Sequence, residues 1–290
     1  MKIIQPSFSI MEQGSGVDGI YKQIELAGRT CYKSEDRITE TSAKAFVERM
    51  IASKHTAMLE HGTVYLMAYQ GDKKHQYQWT FKYEHNPYSK VNFIQEPLSV
   101  DEKCLWGIAV TTNYRVLVEN GWQEDLQYLC EPTEHHEKRV TVHFVCDRAI
   151  ANEFVRHRVF SFAQESTRFC CYAKEKFGKE LTFIAPSWFK EDVNYQKGGL
   201  EDANSQIFVE SCELAEKNYL DMLEFGGAKP QDARAILPLS LKTELIMTGF
   251  ISDWKHFFDL RALGTTGAPH PDASKLAIPL YNEFKKRNLL

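Results

Sequence analysis

Apolar and polar positions alternate most cleanly at 138–146, KRVTVHFVC, and a side-chain period of two predicts a β-strand there. HGTVYLMAYQ at 61–70 sets Val64, Leu66 and Ala68 against Thr63, Tyr65 and Met67, which predicts a second strand. Helical spacing governs most other segments. TSAKAFVERMIASKH (41–55) places Phe46, Met50 and Ile51 on one face, with Thr41 or Ser42 as cap. Asp147 stands where it caps a short helix through RAIANEFVRH, in which Ile150 and Phe154 lie four apart, as do Ala151 and Val155. TTNYRVLVENG predicts a helix ending at Gly121, and FVESCELAEKNYLDMLEFGG a long amphipathic one closed by Gly226 and Gly227. KTELIMTGFISDWKHFFDLRAL (242–263) reads as one helix, and HPDASKLAIPLYNEFKKRN as the last, with Pro271 at its start and Pro279 kinking it. Residues 71–103 and 185–205 are polar and turn-rich and read as surface excursions.

Helices outnumber strands in this reading, and no repeat, low-complexity run or linker interrupts it. The expectation is an α/β (α+β) fold, a single sheet flanked by helices, in one domain covering 1–290. A chain of 290 residues buries a substantial core, and 43% hydrophobic with 26% charged residues is an ordinary globular composition. The formal charge of −4 argues against a general nucleic-acid coat but leaves room for a local basic pocket. Seven cysteines without a CxxC pair, and a start, MKIIQPSFSI, lacking the apolar core of a signal peptide, point to a reduced cytoplasmic protein. No apolar run approaches the roughly 20 residues of a membrane span.

Charge changes this picture at one place, RHRVFSFAQESTRF (156–169). Successive helical residues are rotated by about 100°, so Arg156, His157 and Arg158 fan out where the short helix ends. Ser166 and Arg168 are two apart and share a side if the segment is extended, and a hydroxyl beside a planar guanidinium suits a phosphate. The competing reading is a structural ion-pair cluster with Glu153 and Glu165. Arg234, in QDARAILPLS, and Arg261, which extends the face marked by Ile246, Phe250, Trp254 and Phe257, carry the same signal. Each also reads as an arginine snorkelling at the rim of the core.

Other chemistry is poorly represented. His55 and His61 in HTAMLEH are six apart and miss the i, i+4 spacing of a helical zinc pair, and adjacent His135 and His136 do not easily face one ion. The cysteines form no ligand quartet and read as small buried hydrophobes, so no metal is expected. Neither GxSxG, GxxxxGK[ST] nor GxGxxG occurs. The residues by themselves lead to an arginine-rich anion pocket.

The chain resembles the flavin-dependent thymidylate synthases. Their signature, Arg-His-Arg followed after seven residues by Ser, is matched by Arg156, His157, Arg158, VFSFAQE and Ser166, with Ser161 and Arg168 also in place. AGRTCYKS (27–34), KHTAMLEH (54–61), DARAILPLSLKTEL (232–245) and FFDLR (257–261) match further segments in order, so the resemblance spans most of the chain.

The resemblance implies a homotetramer with shared active sites around FAD. In that family reduced flavin mediates transfer of the methylene of 5,10-methylenetetrahydrofolate to C5 of dUMP and supplies the hydride, and NADPH re-reduces the flavin. No protein nucleophile is involved. Arg261 matches the arginine that polarises the uracil ring, a fixed cation beside developing negative charge. Glu153, Arg156, Gln164, Glu165, Ser166, Thr167, Arg168, Arg234 and Arg261 fall on dUMP-binding positions, the stretch from Gln164 to Thr167 through its backbone. Ala57, Arg156, His157, Arg158, Gln164, Phe250 and His256 fall on flavin positions, and His55 on the folate or NADPH side.

The chain departs from the family where Ala163-Gln164 replaces the common Asn-Glu, Glu153 replaces Gln and Phe169 replaces Tyr. Phe250 and His256 stand where Asn is common, and GTTGAPHPDAS lengthens the link to the last helix, past His270. Two further readings stay open: a pyrimidine-modifying variant that transfers another one-carbon unit, and a catalytically silent nucleotide- or RNA-binding protein.

Overall fold

A computed structural model describes residues 1–69, 81–97, 104–190 and 203–290. Among these residues there are three sheets, which corrects the expectation of one. Strands β1 (Lys2–Ile4) and β8 (Thr182–Ile184) form a parallel pair. Strands β3 (Thr63–Tyr69), β5 (Cys104–Asn113) and β4 (Lys90–Pro97) form an antiparallel sheet in that order. The site is built on the third sheet, antiparallel in the order β2 (Ser7–Met11), β6 (Arg139–Asp147), β9 (Lys242–Phe250) and β7 (Ser161–Gln164).

The predicted strands at 138–146 and 61–70 are β6 and β3. The helix expected at 242–263 is instead a strand followed by a helix: β9 to Phe250, then Ile251–Arg261. Ile246, Phe250, Trp254 and Phe257 satisfy a helical face on paper, but as the inner strand between β6 and β7 the segment to Phe250 is buried on both sides. A run apolar on both faces carries no period that separates strand from helix. The chain turns at Phe250, whose N–H donates to Asp253 at 3.0 Å.

The excursion expected at 71–103 holds β4, and β5 follows it, so the turn-rich composition concealed a hairpin partner. Residues 71–80 and 98–103 of that excursion, and 191–202 of the other, lie outside the described residues.

Seven helices of seven or more residues are described: α1 (Gly16–Tyr32), α2 (Ser42–Ala52), α3 (Tyr114–Asn120), α4 (Arg148–Phe154), α5 (Ala203–Glu224), α6 (Ile251–Arg261) and α7 (Pro271–Lys286). Caps fix several of them. Asp147 accepts from the Ile150 N–H at 2.7 Å, as its sequence position implied, and Asn113 does the same for Val116. Pro271 starts α7, and Pro279 lies within it. Among the described residues no helix is long and apolar enough to cross a membrane.

One face of the site sheet, through Val142, Phe144 and Met247, packs against Trp254, Phe257 and Phe258 of α6 and Phe284 of α7. Two glycines bring site elements close. A Cβ on Gly28 of α1 would lie 2.4 Å from Phe46 of α2, and one on Gly249 of β9 would lie 2.5 Å from Phe160. The second contact seats the segment after the Arg-His-Arg tripeptide on the sheet.

Candidate active site

Strand β7 organises the site, because the residues singled out in the sequence sit at its two ends. Its four residues span about 13 Å. Before it, α4 ends at Phe154, so Arg156, His157 and Arg158 lie in the turn that follows the helix rather than within it. After it, Ser166, Thr167 and Arg168 form a turn closed by the Phe169 and Cys170 N–H groups donating to the Ser166 carbonyl. The extended arrangement expected for Ser166 and Arg168 is therefore not the one adopted.

At the first end, α6 delivers Arg261 beside the tripeptide. Its Nη1 donates to Glu153 Oε2 at 2.5 Å, its Nη2 to the Glu153 carbonyl at 3.3 Å, and its Nε to His157 Nε2 at 3.2 Å. His157 must be neutral to accept that bond. Burial, with the charges of Arg261 and His256 beside it, pushes its pKa down to about 4. The proton then resides on Nδ1. Arg156, His157, Arg158, His256 and Arg261 line one cavity of about 400 Å³, and Arg156, Arg158 and His256 are exposed.

At the second end, Arg234 reaches Thr167 Oγ1 at 3.4 Å, and Arg168 lies over the Phe169 ring at 5.4 Å. Both arginines are exposed. Glu165, by contrast, is a fully buried side chain: Tyr172 donates to its Oε1 and Lys242 to its Oε2, each at 2.8 Å. Gln164 touches Thr243 at 3.4 Å. Among the described residues no hydrogen bond or ion pair joins the Arg261 cluster to the Arg168 cluster.

The carboxylates near the motif are thus committed elsewhere, Glu153 to Arg261 and Glu165 to Lys242. Among the described residues Arg156, Arg158, Arg168 and Arg234 have no carboxylate within ion-pair distance. The structural ion-pair cluster weighed from the sequence does not form around these four, and exposed guanidiniums without acids are suited to anionic ligands.

Phe250 forms a third part of the site. It is buried, with Lys90 5.5 Å and Arg139 5.6 Å from its ring centroid. Arg139 donates to the Glu60 carbonyl at 3.0 Å, Thr63 Oγ1 at 3.3 Å and Ser161 Oγ at 3.4 Å. Close by, buried His61 shares a 2.8 Å bond with Thr248, which shares another with Thr141. Burial and the Arg139 charge push His61 down to about 3. His55 and Ala57 are exposed at the start of the 3-10 segment that ends at His61. Among the described residues no hydrogen bond or ion pair of theirs reaches the arginine clusters.

Arg139 and Lys242 were missed in the sequence. Each stands at the polar start of a strand, where a cation reads as solvated. A signal existed for Lys242, in KTEL, since a charge pair two apart on a strand shares a face. Burial pushes the thiols of Cys31 and Cys170, near the second end, up to about 11 and about 12, so neither offers a thiolate at neutral pH.

The family described as thymidylate synthase complementing protein matches residues 113–287. A flavin-dependent thymidylate synthase of Pyrococcus furiosus is 30% identical over 180 residues, 59% of this chain and 68% of that protein. One from Thermococcus kodakarensis is 33% identical over 119 residues, 40% of this chain and 43% of that protein. One from Synechocystis is 28% identical over 149 residues, 49% of this chain and 65% of that protein. The chain thus spans between under half and about two thirds of these relatives.

Proposed function

Because the chain belongs to the family of the thymidylate synthase complementing proteins, the flavin-dependent thymidylate synthases, we propose that it converts dUMP to dTMP. The carbon donor is 5,10-methylenetetrahydrofolate, the cofactor FAD and the reductant NADPH. The observation that carries this reading is the set of four exposed arginines, Arg156, Arg158, Arg168 and Arg234, left without acid partners on a chain of net charge −4. Two phosphate-bearing ligands give such a set its counter-charge.

The residues fit FAD: Arg156 and Arg158 stand exposed and unpaired on a cavity of about 400 Å³, as a pyrophosphate requires. Held there, the flavin would supply the hydride and mediate the one-carbon transfer. The chain's own residues do the rest. Ser166 and Arg168, on the turn after β7, hold the dUMP phosphate together with Arg234. Arg261 is fixed in orientation by Glu153 and neutral His157 and is directed at the uracil ring, where a preorganised cation stabilises the charge that develops as C5 becomes nucleophilic. His55 serves the folate and NADPH side, and Ala57 the flavin. No protein nucleophile is needed, in keeping with the high thiol pKa values.

The separation of the two arginine clusters along β7 supports a site completed between subunits of a homotetramer. Exposed Val159 and Phe169, each beside one cluster, supply apolar surface for such contacts. The test is direct. Protein reconstituted with FAD is given NADPH, 5,10-methylenetetrahydrofolate and dUMP, and the nucleotide product is weighed by mass spectrometry. A methyl addition is expected; a hydroxymethyl addition or unchanged dUMP overturns the proposal.

A further inference from the structure

The turn that carries Ser166 and Arg168 is rooted on a buried charge. Glu165 extends the β7 ladder by one step, its N–H donating to the Glu244 carbonyl at 2.8 Å. Its carbonyl accepts from Arg148 Nη2 at 3.2 Å, and the next N–H, of Ser166, donates to the Cys31 carbonyl at 3.0 Å. The backbone at the root of the turn is thus fixed from three directions, and the side chain is buried at the same point.

A buried carboxylate stays in place only if it is paired and hydrogen-bonded; otherwise it takes up a proton or moves to water. Among the described residues Lys242 is its one cationic partner within ion-pair distance, at 2.8 Å, and the Tyr172 hydroxyl fills the other oxygen. Lys242 is itself held by Glu244, at 2.6 Å, and Glu244 by Lys33 at 2.8 Å and His143 at 2.9 Å. Burial alone would raise the Glu244 carboxyl, but the His143 hydrogen bond and the two lysine charges outweigh it and hold the group ionised. The chain of alternating charges therefore links the end of α1 to the start of β9 and terminates on Glu165.

We propose that Lys242 is a positioning residue for the anion-binding turn: by pairing with the buried Glu165 side chain and keeping it in register, it holds Ser166 and Arg168 in the geometry that takes the nucleotide phosphate. Lys242 does not touch the ligand. It acts through the carboxylate one residue before the turn. The inference rests on the reading that this turn binds the phosphate of dUMP.

The experiment measures the affinity of the full-length, FAD-reconstituted protein for dUMP and, by competition, for deoxyuridine, which lacks the phosphate. Lys242→Met strands the buried carboxylate and is expected to weaken dUMP binding at least tenfold while leaving deoxyuridine unchanged. Lys242→Met combined with Glu165→Leu removes the stranded charge and is expected to restore dUMP affinity to within about threefold of the parent, because a buried ion pair replaced by apolar side chains is commonly tolerated. Unaltered dUMP affinity in Lys242→Met overturns the proposal. So does equal weakening in the single and double variants, which would mean that Lys242 itself contacts the phosphate, and so does parallel loss of both ligands. If Lys242→Met does not fold, Tyr172→Phe decides, with a two- to fivefold loss for dUMP alone expected and no change overturning. Failure of the unsubstituted protein to bind dUMP would instead remove the phosphate reading, and this inference with it.

Discussion

Arg261 and Arg168 are the same residue type serving the same proposed ligand, yet the structure treats them in opposite ways. Arg261 is half-buried and fully engaged, with Glu153 and His157 fixing its guanidinium on three sides. Arg168 is exposed, without a carboxylate among the described residues, and rests only on the Phe169 ring. A guanidinium whose orientation is fixed in advance is suited to a reaction step, where reorganisation is costly. One without a counter-charge is suited to capturing an anion. The Arg261 guanidinium is fixed in advance and that of Arg168 has no acid partner among the described residues, so the proposed function divides catalysis from binding between the two ends of one short strand.

Substitutions break this comparison unequally. Arg261→Ala is expected to have the largest effect, lowering kcat by about 100- to 1000-fold with dUMP affinity less affected, as measured by steady-state turnover. Arg168→Ala should do the reverse, weakening dUMP by about ten- to a hundredfold, the worth of one charge-assisted bond of roughly 1.5 to 3 kcal/mol, with kcat at saturation preserved. Arg168→Lys should also bind more weakly, because a point charge cannot reproduce the planar fork. Glu153→Ala, which unties Arg261 without removing it, is expected to cost about tenfold in kcat. Glu153→Gln keeps an acceptor for Arg261 and should stay within about threefold.

Acid sharpens the same contrast. His157 titrates at about 4 in the folded chain, below the ordinary 6.5, so the unfolded chain takes up the proton first. Its contribution to stability is complete above about pH 6.5 and is lost as pH falls toward 4, where the protonated ring can no longer accept from Arg261. The thermal midpoint should therefore decline over that window, and His157→Gln should flatten the decline. The His61 contribution, with its still lower pKa of about 3, persists in that variant. The phosphate proposed to bind Arg168 itself takes up a proton at about pH 6, so the dUMP affinity loss in Arg168→Ala should shrink as pH falls over the same range.

The sequence made the ends of this strand legible but not what lies between them. Alternation at 138–146 and the Asp147 cap were sufficient to place β6 and the start of α4, because both signals are local. The segment 242–263 was misread, since burial on both faces of β9 erases the period that would have revealed it. β4 was hidden by turn residues on either side, and its pairing with β5 is fixed by contacts outside its own sequence. For the site, the residue types in RHRVFSFAQESTRF pointed to anions, but which arginines are paired depends on where Glu153 and Glu165 point. By resemblance Glu165 falls on a nucleotide-binding position through its backbone, and its side chain is buried against Lys242 and Tyr172. That outcome required the fold to bring residues 165, 172 and 242 together.

A dUMP titration of the FAD-reconstituted protein, followed by its visible absorption, tests the division of labour most directly when run on Arg158→Ala and Arg168→Ala side by side. Arg158→Ala is predicted to lose flavin absorbance, and Arg168→Ala to keep the flavin spectrum while requiring much more dUMP to perturb it. Loss of flavin from Arg168→Ala with dUMP affinity intact, or no change in either variant, would contradict the account.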